Sequence, residues 1–98
     1  MNLKEWFNQL GIADNEYEKI CAEVKELKEV YNYKFVGIGA RKSAKIENNQ
    51  VIFGDYKPCI IGFKNILDHD FKIAVDDWVL GGREVSAIVD SATLDIIF

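Results

Sequence analysis

The chain reads as an α+β domain, with two N-terminal helices packed on a mainly antiparallel sheet of five or six strands. Three observations predict this class. Apolar residues recur at helical spacings of three and four only as far as about residue 32. From Tyr33 onward, short extended runs alternate with turn signals. No segment shows the strand–helix–strand alternation that builds a parallel sheet. Of 98 residues, 49% are hydrophobic and 29% charged, a balance typical of folded chains, and the length suits one domain over 1–98.

The first helix is expected over about 2–10. Leu3, Trp6, Phe7 and Leu10 form one apolar stripe, and Gly11 can end the helix in the left-handed conformation. A second helix is expected over about 16–32. Asn15 and Glu18 have the spacing of a capping box, while Tyr17, Ile20, Cys21, Val24, Leu27 and Tyr31 share a face. The Glu and Lys residues between them suit a solvated face.

The extended region is expected over about 33–98. In the run 35–40, Val36, Ile38 and Ala40 lie on one face, with Phe35, Gly37 and Gly39 on the other. Gly37 and Gly39 do not complete a phosphate-binding glycine motif. The absence of Cβ atoms there suits sheet bending or the close approach of a helix, and Gly62 extends the smooth patch. Asn48-Asn49 suits a two-residue hairpin between strands at 44–47 and 50–54. A further strand is expected to begin at Pro58. Gly81-Gly82 is expected to join strands at 71–80 and 83–90, and a last strand covers 92–98.

Several chemistries find no support. Cys21, Cys59 and His69 are too few for structural zinc, so no metal or other cofactor is expected. His69 sits among Asp68 and Asp70 in what reads as a loop, and neighbours on a turn rarely converge on one atom. Asp76 and Asp77, consecutive on a regular strand, would point to opposite faces. A non-enzyme is therefore expected. No window approaches a membrane span or a secretory signal, which gives a cytoplasmic protein with no membrane partner as the expectation.

Twelve Lys and Arg against sixteen Asp and Glu give a net charge of −4, which disfavours direct nucleic-acid binding. The charge is uneven. Residues 1–45 hold eight basic and seven acidic side chains; residues 46–98 hold four and nine. Asp68, Asp70, Asp76, Asp77 and Glu84 gather around the glycine pair, with Trp78 among them as a candidate anchor. These six residues are the expected partner-binding site. The expected function is a small acidic inhibitor or immunity protein that blocks a basic toxin or nucleic-acid-processing enzyme. Two alternatives stand beside it. Apolar residues through Ile96-Ile97-Phe98 suit a self-assembling phage or secretion-system module that forms homo-oligomers through its terminal strand. The glycine-faced strands suit a small-molecule pocket.

Overall fold

The computed structural model describes residues 1–80 and 85–98. Helix α1 spans Leu3–Leu10 and α2 spans Asp14–Tyr31. Two long strands follow, β1 over Phe35–Glu47 and β2 over Gln50–Lys64. Helix α3 covers His69–Leu80, and strand β3 covers Val85–Asp90. The class is α+β, but with three helices and a three-stranded antiparallel sheet in the order β2-β1-β3. The expected five or six strands are overturned at three places.

The first concerns strand length. The runs expected at 35–40 and 44–47 are one strand, β1, and those at 50–54 and from Pro58 are one strand, β2. Register shifts between Gly37 and Ile38 and between Lys42 and Ala44 absorb the irregularities that looked like breaks. Pro58 is tolerated because β2 is an edge strand of the described sheet, where a missing ladder donor costs little. Asn48 and Asn49 both have positive φ, 52° and 62°, as a two-residue hairpin with type I′ character requires.

The second correction is the segment 71–80, expected as a strand and found as α3. Alternation at Phe71, Ile73 and Val75 mimics a strand. Phe71, Val75 and Val79 are the residues actually buried, and they fall four apart on one helical stripe. The Asp68 carboxylate accepts the Phe71 N–H at 2.6 Å, satisfying one of the helix's orphan donors. The Gly81-Gly82 hairpin lies outside the described residues. Its expected first strand does not exist, so α3 instead carries the chain from β2 to β3. These two strands are both antiparallel to β1, and the connection therefore passes over it.

The third correction concerns residues 92–98, which form isolated bridges rather than a strand. Asp90 caps a turn by accepting the Ala92 N–H at 2.8 Å, and Leu94 takes a positive φ of 61°. Val89 then bridges Ile96, and Ile88 exchanges backbone hydrogen bonds with Ile97 and Phe98. Asn2 bridges Asp95, and Leu3 donates to the Leu94 carbonyl at 2.9 Å. The apolar tail is thus held against β3 and the start of α1.

The sheet is covered on both faces. Leu3 and Phe7 of α1 and Ile20 and Val24 of α2 pack with Val36, Ile38, Ala40 and Val89. On the opposite face Phe71 and Val75 of α3 pack with Ile88 and the partly buried Phe35 and Ile61. The glycines decide how closely α3 can lie. A Cβ on Gly37 would come within 3.0 Å of Val75 Cγ2, and one on Gly62 within 2.9 Å of Phe71 Cε2. At the start of α2, the expected Asn15 cap is displaced by two residues: the helix begins at Asp14, with Ala13 as N-cap and no side-chain cap. The ends of α1 conform to ordinary capping, with Asn2 accepting from Glu5 and Gly11 at φ 72°.

Beyond this sandwich, β1 and β2 continue as a two-stranded arm. From residue 41 to 57 every side chain except Tyr56 is exposed. The arm draws the molecule out to 47 × 28 × 24 Å.

Candidate functional site

Helix α3 brings the expected site residues together, though not as one acidic cluster. Asp68 is a cap, as described, and its other oxygen lies 3.6 Å from Lys64 Nζ. Asp76 pairs with Lys72 one turn back and accepts from the Ser86 hydroxyl at 3.3 Å. Both carboxylates therefore serve the structure. Glu84 lies outside the described residues.

Asp70, Asp77 and Trp78 remain. They share the outer surface of α3 with Ile73 and Ala74, because positions 70, 73, 74, 77 and 78 follow helical spacing. The inner stripe at Phe71, Val75 and Val79 is already buried against the sheet. Trp78 is 60% exposed, Leu80 72% and Ile73 43%. Asp70 and Asp77 are exposed and have no partner among the described residues. One helix thus offers an occupied apolar face and an exposed face on which Asp70 and Asp77 lie between Trp78 on one side and Ile73 and Leu80 on the other. A small cleft of about 80 Å³ opens beside Trp78, lined by Gly39, Ala40, Arg41, Cys59 and Val79.

Sequence reasoning missed Ile73 and Leu80, since a strand reading of 71–80 puts them in unrelated places. It also missed a second apolar surface, on the arm. Cross-strand pairing sets Ala44 opposite Phe53 and Ile46 opposite Val51, so these four share one face. Ile46 is 80% exposed and Phe53 66%. The opposite face carries Arg41 paired with Lys57 and Lys45 paired with Ile52. The signal in the sequence is the group of basic residues Arg41, Lys42 and Lys45 within an acidic chain.

The remaining features do not converge on chemistry. The space over the glycine-faced strands is filled by Phe71, Val75 and Val79. A surface hollow of about 450 Å³ lies where α2 ends and is bordered by Lys28, Lys34 and the Asp90–Ala92 turn. Ser91 beside it is committed, donating its hydroxyl to the Tyr33 carbonyl at 2.7 Å. Tyr17 on α2 is pushed up to about 12, first by hydrogen bonding to Cys21, then by burial and the Cys21 charge. It packs edge-on against Phe7 in the other layer of the molecule. Neither cysteine is in a disulfide, and among the described residues no group of His, Cys, Asp or Glu is placed to hold a metal ion. Among those residues, too, no helix is long and apolar enough to cross a membrane. Comparison with known protein families, curated proteins and solved structures gives no match.

Proposed function

We propose that this chain is a non-catalytic, cytoplasmic protein-binding module that docks a basic protein surface on the outer face of α3. The observation that carries this reading is the exposed face of α3, on which Asp70 and Asp77 lie between Trp78 on one side and Ile73 and Leu80 on the other. A tryptophan left mostly in water beside aliphatic side chains has the composition of an interface anchor, and flanking carboxylates select a cationic partner. Inhibition of a basic toxin or nucleic-acid-processing enzyme is the form of this function that the chain's acidity favours. In this reading the contact lies on the α3 face, while Asp68 and Asp76 are engaged within the fold.

The test is affinity capture from the native host with two baits, the unaltered chain and a Trp78→Ala, Asp77→Lys double variant. Basic proteins should be retained by the first bait, released progressively by salt, and lost from the second. Retention of the same proteins by both baits would remove α3 as the contact.

A further inference from the structure

We propose that the arm of one copy of this chain pairs with the arm of a second copy, apolar face to apolar face, about a two-fold axis. The inference goes beyond the reading of α3 and does not depend on it. Position, charge, shape and area support it.

The fold leaves the face uncovered. Val36, Ile38 and Ala40 of β1 pack under α1 and α2, and residues 42, 44 and 46 continue that alternation past the helices. Tyr56, opposite Lys42, still packs on the main core. Ala44, Ile46, Val51 and Phe53 belong to neither packed cluster, and all four are exposed. Two-stranded ribbons are marginal in water without something against their apolar side.

Charge favours a neutral cover. None of these four side chains ionises. Lys45 lies on the opposite face of the ribbon and pairs with Glu47 at 3.5 Å. Arg41 and Lys57 share that opposite face, and Lys57 reaches Glu16 of α2 at 3.9 Å. Two arms that meet on their apolar faces therefore set no like charges against each other, while a partner selected by charge finds nothing there to recognise.

Shape selects a second copy. Helices α1 and α2 stand on the same side of the sheet as this face, so two arms can meet only when antiparallel, with the sandwiches at opposite ends. A two-fold axis across the strands, between the Ala44–Phe53 and Ile46–Val51 pairs, sets Ala44 against Ile46 of the second copy and Phe53 against its Val51. Every contact then places a larger side chain on a smaller one, the pattern by which facing layers interdigitate. The next pair outward, Lys42 and Tyr56, comes opposite the Asn48-Asn49 turn of the second copy and gives the contact a polar margin.

Area sets the strength. The six large side chains of the two copies, with their margins, bury about 1,000 Å² in total, the low end for specific association. The dimer is accordingly weak, with a Kd on the order of micromolar.

Sedimentation velocity on the purified full chain, over a concentration series, tests the proposal. A monomer–dimer equilibrium should appear and go no further, because a two-fold contact uses up the face of both copies. The dimer should persist at about 0.5 M salt, where contacts between exposed charges are screened. Phe53→Asp and Ile46→Asp should each raise the Kd about tenfold or more. Ala44→Phe separates a fitted contact from mere stickiness. It enlarges the apolar face but occupies the space of Ile46 of the second copy, so it too should weaken the dimer about tenfold. Trp78→Ala on α3 should leave the Kd unchanged. All these positions are exposed apart from the partly open margin of Ala44's neighbours, and far-UV circular dichroism verifies that each variant is folded. A chain still monomeric at about 100 μM, far above a micromolar Kd, overturns the arm-to-arm contact. So does assembly beyond the dimer, a dimer dispersed by salt, one tightened by Ala44→Phe, or one that needs Trp78. Because Trp78 takes no part here, an intact dimer that captures no basic protein counts against the α3 reading alone, and a monomer that captures one counts against this inference alone.

Discussion

At Gly62, the missing methyl group sets where a helix can sit. A Cβ there would approach Phe71 Cε2 to 2.9 Å, and Phe71 is buried, with little room to turn. Gly62→Ala should therefore destabilise the fold by about 1–3 kcal/mol, the usual cost of overpacking, measured by urea unfolding. Gly54→Ala provides the contrast. Its nearest neighbour is the end of the exposed Ser43 side chain, which can rotate away, so the change should stay within about 0.5 kcal/mol. Residue-scale features of this kind were partly legible beforehand. Gly37, Gly39 and Gly62 read as a smooth patch fit for a helix, and Gly11 as a left-handed helix end. Asp68 was not legible as a cap, because a cap has meaning only once the segment after it is recognised as helical.

The elements were legible where one periodicity prevails and obscure where two compete. Both N-terminal helices have a single stripe, and no strand pattern rivals it. The segment 71–80 satisfies period two at its start and period four throughout, and Asp76-Asp77 is the point at which the strand pattern fails. The arm was obscured for another reason. Its apolar residues pair across the hairpin, so their shared face is visible only once the register is known. Because the arm buries so little, it should be separable from folding. Replacing residues 43–54 with a two-residue turn should leave the thermal midpoint within about 5 °C of the unaltered chain, a change worth about 1 kcal/mol or less. A larger drop in a calorimetric scan would show that the ribbon supports the sandwich beneath it.

For the molecule as a whole, strand order was the least accessible property. No order could be read from the hairpin signals, and β1 lies between β2 and β3 because α3 returns the chain across the sheet. The charge asymmetry was correctly divided between the two halves of the sequence, but the fold redistributes it. Two carboxylates are spent within the sandwich, and four of the twelve basic residues are carried outward on the arm.

The pairing of Asn2 with Asp95 has a further consequence. The Met1 carbonyl accepts the Ile96 N–H at 3.0 Å, so the start of the chain runs beside its last few residues on the sandwich. A short glycine–serine linker could join them while a new opening was made at Asn48-Asn49, the tip of the arm. That circular permutant should keep the circular dichroism spectrum of the parent, since the cut falls in an exposed turn and the join spans neighbours. It would also place both new ends at the far point of the molecule, turning a closed hairpin into two independently taggable strands.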